Sequence, residues 1–66
     1  MPLYTWLVTD DRYRVPSLIF NVAPDDATVR TLVHLDLANN PHHRAIEVRD
    51  GDKLMFVESR DVWVAT

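Results

Sequence analysis

The chain has 66 residues, of which 47% are hydrophobic, and a formal net charge of −3. This length allows one domain, and the composition is too apolar for a disordered segment. The absence of cysteine excludes disulfides, thiolate nucleophiles and cysteine-ligated zinc. The negative charge and the scattered basic residues argue against nucleic-acid binding.

No apolar run approaches the roughly 18 residues that a membrane-spanning helix needs. The first residues lack the basic region of a signal peptide. We therefore expect a cytoplasmic protein that does not contact a membrane.

Two strands are predicted at the start of the chain. Residues 3–8 are rich in β-forming side chains and end at the turn-type cluster Thr9-Asp10-Asp11. Pro16 cannot donate to a strand ladder, so the credible part of the next apolar stretch is residues 18–22, at an edge or after an irregular start. Together they predict an antiparallel hairpin.

A helix follows this hairpin. Pro24-Asp25-Asp26 predicts its start, because aspartate caps the first free amide groups and suits the positive end of the helix dipole. Asn39-Asn40-Pro41 predicts its end, with asparagine in a left-handed cap, which gives about twelve residues. One apolar stripe recurs at helical spacing: Val29, Leu32, Val33 and Leu37.

The last third of the chain is predicted to be β. Residues 44–49 alternate, and Asp50-Gly51 is a strong hairpin signal before residues 53–57. Residues 62–65 are a possible fifth strand. The predicted fold is a single α+β domain over residues 1–66, in the order β-β-α-β-β with an optional last strand. One helix would pack on one face of an antiparallel or mixed sheet.

Several predicted strands are apolar on both sides, which one short helix cannot cover. Tyr4, Trp6 and Val8 oppose Leu3 and Leu7 across the first strand, and Leu54 and Phe56 oppose Met55 and Val57 across the fourth. Because exposed apolar surface of this extent marks interfaces, we expect a homodimer or higher oligomer. Alternatively, the terminal segments wrap the core. The predicted contact residues are Trp6, Leu7, Met55, Val57 and Trp63.

Residues 22–32 read VAPDDATVRTL, which resembles the strand-to-helix junction of ubiquitin-like, β-grasp domains. Residues 41–46, PHHRAI, look like the proline-led start of their third strand, and the similarity extends over about residues 3–49. The chain finishes Val64-Ala65-Thr66 without a Gly-Gly tail, so the resemblance implies a non-conjugating protein-binding module. The opening residues and the stretch 46–50 also look like small uncharacterised bacterial proteins, which would imply a bacterial or phage source.

Histidine and Asp36 are the candidates for site chemistry. His34, His42 and His43 would be solvated on a helix face and a loop; the alternative is a metal site with Asp36 as a further ligand. Asp36 falls inside the apolar stripe. Either the helix ends or bends before Asp36 and leaves it in water, or it pairs with an arginine or tyrosine, or it is a catalytic acid.

These observations predict a non-enzymatic protein-interaction module that self-associates and has no catalytic residues, cofactor or metal. An alternative is a small acidic inhibitor, antitoxin-like or phage-encoded, that blocks a basic site on a partner protein. A small enzyme would need a site built between subunits with Asp36 or a histidine.

Overall fold

The computed structural model describes residues 2–60. It confirms the α+β class and the order β-β-α-β-β. The possible strand at 62–65 lies outside the described residues, as does Trp63. The elements are β1 (Leu3–Asp10), β2 (Ser17–Val22), α1 (Asp26–Asn39), β3 (His43–Asp50) and β4 (Lys53–Ser59).

The four strands form one sheet in the order β2-β1-β3-β4, and every neighbouring pair is antiparallel. The strands β2 and β3 therefore run parallel to each other with β1 between them, and α1 connects them. Pro16 precedes the edge strand β2, as predicted, so its missing amide hydrogen removes no bond from the centre of the sheet.

The helix begins at the predicted cap. Asp25 has extended backbone, and its carboxylate accepts a hydrogen bond of 2.8 Å from the amide of Thr28. The helix runs for 14 residues, longer than expected. The prediction of a left-handed cap was wrong, since Asn40 has φ −124°. The Asn40 side chain and amide instead both donate to the carbonyl of Asp36, before Pro41 stops the helix.

The core lies between α1 and one side of the sheet, which we call the inner face. Alternation in β1 directs Tyr4, Trp6 and Val8 to this face, where they are at most 5% exposed. Ile46 and Val48 of β3 join them. The helix contributes Val29, Val33 and Leu37, all fully buried. The buried side of the helix thus follows the predicted apolar stripe, and Tyr4, Trp6 and Val8 share one face of β1 as predicted.

The hairpin between β3 and β4 turns at Gly51, which has φ +63°, as its Asp-Gly sequence predicts. Next to it, β4 contains a bulge: Val48 pairs with Phe56, but Arg49 pairs with Leu54. Met55 is therefore the extra residue, and it packs against the core beside Phe56. The prediction that Leu54 and Phe56 lie on the same face was wrong, because the extra residue of the bulge reverses the alternation of faces along β4.

Within residues 2–60, no helix is both long and apolar enough to cross a membrane.

Candidate binding surface

The side of the sheet opposite α1, which we call the outer face, is covered by none of the residues 2–60. Cross-strand pairing places its side chains in two complete rows. We call them the arginine row and the glutamate row. In the order β2, β1, β3, β4, the arginine row is Phe20, Thr5, Arg49 and Leu54, and the glutamate row is Leu18, Leu7, Glu47 and Val57.

The outer face is unusually apolar for a surface in contact with water. Nine large apolar side chains among residues 2–60 are more than half exposed, and six of them lie here. Small proteins that act alone seldom expose a contiguous apolar patch of this kind, so such a patch marks a contact surface. The six residues are Leu3, Leu18, Phe20, Val22, Leu54 and Val57.

One ion pair interrupts this apolar surface. Arg49 Nε donates a hydrogen bond to Glu47 Oε2 along β3, and both side chains are partly exposed, at 42% and 31%. Their cross-strand neighbours are Thr5 and Leu54 for Arg49, and Leu7 and Val57 for Glu47. The two rows therefore carry one positive and one negative group, both on β3, with Thr5 and Leu7 on one side and Leu54 and Val57 on the other.

The predicted contact residues divide between the two faces. Leu7 and Val57 lie on the outer face. Trp6 does not: it is 5% exposed and belongs to the core, because it shares the parity of Tyr4 and Val8. Met55 is also directed to the core by the bulge. Trp63 lies outside the described residues.

The sequence-based prediction missed the contribution of β2. Leu18, Phe20 and Val22 pair with Leu7, Thr5 and Leu3 on the outer face. The signal was present in the alternation of residues 18–22, in which Ile19 and Asn21 take the opposite parity. This alternation identifies the outer residues of β2 only when the faces of the β1 residues are known, because residues that pair across the hairpin lie on the same face of the sheet.

A polar cluster lies at one end of the inner face. His43 Nδ1 lies 2.7 Å from Asp36 Oδ2, and His43 Nε2 lies 3.6 Å from Asp10 Oδ2. Asn40 Nδ2 also donates to Asp36 Oδ1 at 2.9 Å. The side chains of His43 and Asp36 are only 16% and 19% exposed. The expectation that Asp36 lies in water was therefore wrong. Its partner is a histidine and not the arginine or tyrosine of the second expectation.

Asp10 is the most buried member of this cluster, with a side chain 2% exposed. Arg12 donates to both of its carboxylate oxygens, from Nε at 3.0 Å and from Nη2 at 2.8 Å. These bonds hold the pKa of Asp10 well below its usual value of 3.8, although burial acts in the opposite direction. The first strand was predicted to end at residue 8, but β1 continues to Asp10, so neither the inward direction of Asp10 nor its partners were predicted.

The other histidines are more exposed than His43. His42 Nδ1 lies 2.9 Å from Asp11 Oδ1, and His34 Nε2 lies 3.6 Å from Glu58 Oε2. Both rings are about half exposed. Within residues 2–60, no three histidine or carboxylate side chains are grouped so that they could hold a metal ion.

Carboxylates also gather at the opposite end of the sheet. The Tyr4 hydroxyl donates a 2.8 Å hydrogen bond to Asp26 Oδ1 beside the helix start. This bond, the burial of the ring and the negative charges of Asp26, Asp50 and Asp25 raise the pKa of Tyr4 to about 12. Tyr4 therefore joins the start of the central strand β1 to the first turn of α1.

Comparison with protein-family models, with curated proteins and with solved structures gave no match to this chain.

Proposed function

We propose that this chain is a non-enzymatic protein-interaction module that associates, first of all with itself, through the outer face of its sheet. The observation that carries the proposal is the set of six large apolar side chains, each more than half exposed, on one face. When such side chains leave water on association, the burial contributes a favourable free energy of about 25 cal/mol for each Å² of apolar area. Among residues 2–60, no side chain covers these six residues.

The polar cluster supports a structural rather than a catalytic role for the other end of the molecule. His43 lies between Asp36 and Asp10, Asn40 donates to the other oxygen of Asp36, and Arg12 donates to both oxygens of Asp10. A general acid or base needs a free position within hydrogen-bonding distance of its substrate. Here the donors and acceptors are occupied by groups of the same chain.

The alternative of an acidic inhibitor has weaker support. A mimic of phosphate needs carboxylates that are free to meet a basic partner. Asp10 is held by Arg12, Asp25 caps the helix, and Asp26 accepts from Tyr4. Three of the four carboxylates in the acidic pairs Asp10-Asp11 and Asp25-Asp26 are therefore held by these structural contacts.

One pair of variants tests the proposal with a matched control. Val57 on the outer face is 54% exposed, and Val15 before β2 is 71% exposed. The substitution Val57→Lys places a charge in the proposed contact, whereas Val15→Lys places the same charge outside it. Light scattering after size-exclusion chromatography, over a range of protein concentrations, measures the mass of each variant.

We expect the wild type and Val15→Lys to associate, and Val57→Lys to remain a monomer with an unchanged far-ultraviolet circular dichroism spectrum. Association of Val57→Lys with the same concentration dependence as the wild type would contradict the use of the outer face. A monomeric wild type at every concentration would contradict self-association.

A further inference from the structure

We propose that two copies stack outer face on outer face about a two-fold axis that crosses the strands, so that Arg49 of each copy meets Glu47 of the other. This inference rests on the proposed function, since it assumes that the outer face is the contact. It adds the arrangement of the two copies and the two residues that select this arrangement.

The geometry follows from the two rows of the outer face. An axis that lies between the two sheets, perpendicular to the strands and midway between the rows, places the arginine row of one copy over the glutamate row of the other. Each strand then lies over the same strand of the second copy, in the opposite direction. The facing pairs are Phe20 with Leu18, Thr5 with Leu7, Arg49 with Glu47, and Leu54 with Val57.

The pairing is complementary in charge and in size. Arg49 gains the carboxylate of Glu47 from the second copy in addition to the one in its own chain. The small side chain of Thr5 faces the larger Leu7, and apolar residues face apolar residues at both edges. A two-fold contact requires a surface that complements itself, and one positive and one negative group on the same strand satisfy this condition.

The other two-fold arrangement of stacked sheets is less favourable. An axis parallel to the strands would place β3 over β1, so that Glu47 faces Leu7 and Arg49 faces Thr5. Both charges would then lose water without gaining an opposite charge from the second copy, and burying charges in this way is costly. A partner with a wholly apolar surface would impose the same cost, so the ion pair favours a second copy over other apolar partners.

The size of the face suits a stable dimer. The molecule measures 31 × 27 × 18 Å, as expected for one helix layer on one sheet. Contact over most of a broad side would bury on the order of 600–800 Å² per copy, near the size of a standard protein interface. Stacked sheets of this kind lie about 10 Å apart.

The test reverses each charge in turn. In Glu47→Arg, position 47 would meet Arg49 of the second copy, and in Arg49→Glu, position 49 would meet Glu47. We expect each variant to self-associate about tenfold more weakly than the wild type, or worse, because like charges face each other twice. Mixed together, the two variants should form a heterodimer, since every facing pair is then of opposite charge.

The double variant Glu47→Arg/Arg49→Glu is the matched control, because it keeps the pair within the chain and restores the pair between copies. We expect it to dimerise like the wild type. Sedimentation velocity measures the wild type, the two single variants, their mixture and the double variant, and circular dichroism melting checks that each variant is folded. For a single variant that does not fold, Glu47→Gln or Arg49→Gln replaces it, and an affinity equal to that of the wild type would contradict the proposal.

The inference is overturned if the wild type is monomeric, if either charge reversal self-associates like the wild type, or if the mixture forms no heterodimer. Dissociation by Val57→Lys combined with unaffected charge reversals would overturn only this arrangement and would leave the outer face as the contact. Association that neither Val57→Lys nor the charge reversals weaken would contradict the proposed function as well.

Discussion

Tyr4 shows how a single side chain serves both the core and the helix start. The residue is 2% exposed, and its hydroxyl donates a hydrogen bond to Asp26 in the first turn of α1. Because the neutral phenol donates this bond, ionisation would place a negative charge beside a carboxylate. The same side chain thus connects strand packing to the position of the helix.

The raised pKa of Tyr4 predicts a loss of stability at high pH. The pKa rises from 10.0 to about 12 on folding, so the stabilisation is complete below pH 10 and is lost as the pH rises toward 12. The variant Tyr4→Phe should lack this part of the pH dependence, although it also loses the hydrogen bond at neutral pH. Urea unfolding at pH values on both sides of 10 measures the difference, and parallel curves for the two proteins would contradict it.

Residue-scale features with local causes were predictable from the sequence. Asp25 caps α1 through the amide of Thr28, three residues away, and Gly51 takes the positive φ that its hairpin requires. The partners of Asp36 were not predictable in this way. His43 approaches it from a different element, so the contact depends on how α1 and β3 pack.

At the scale of elements, the polar cluster fastens the end of α1 to the sheet. His43 of β3 lies between Asp36 of α1 and Asp10 of β1. Arg60, just after β4, donates to the carbonyls of His43 and Asn40 at 2.9 and 3.0 Å. Side chains from α1, β1, β3 and the residue after β4 therefore meet at the C-terminal end of the helix.

Two adjacent histidines test this role. We expect His43→Ala to lower the free energy of unfolding by about 1–3 kcal/mol, because the largely buried carboxylate of Asp36 loses a hydrogen-bonding partner. His42→Ala removes a ring that is 53% exposed, so its effect should stay within about 0.5 kcal/mol. Urea unfolding of both variants measures the difference. Equal effects would contradict a fastening role for His43.

The order of the elements was predictable because each has its own local signal, but the face assignment in β4 was not. Residues 53–57 alternate in type, yet the bulge beside Arg49 moves Leu54 to the outer face and Met55 to the core. A bulge depends on the pairing with β3 rather than on the residues of β4 alone. Of the predicted contact residues in β4, Val57 is exposed on the outer face, whereas Met55 packs against the core.

At the scale of the whole molecule, residues 2–60 form two layers, one sheet and one helix, although their apolar side chains would suit three. A domain of this length buries only about 60% of the surface that its unfolded chain exposes. One helix covers the inner face, and the apolar rows of the outer face remain in contact with water. A second sheet stacked on the outer face would complete the third layer, which is the physical basis for the proposed self-association.

Methyl NMR of the wild type in a dilution series tests this claim most directly, because it needs no substitution and identifies the contact by residue. The methyl signals of Leu18, Leu54 and Val57 should shift with concentration, whereas those of Val15 and Leu35, which are also more than half exposed, should not. Signals that stay constant over the whole series, or shifts confined to Val15 and Leu35, would contradict self-association through the outer face.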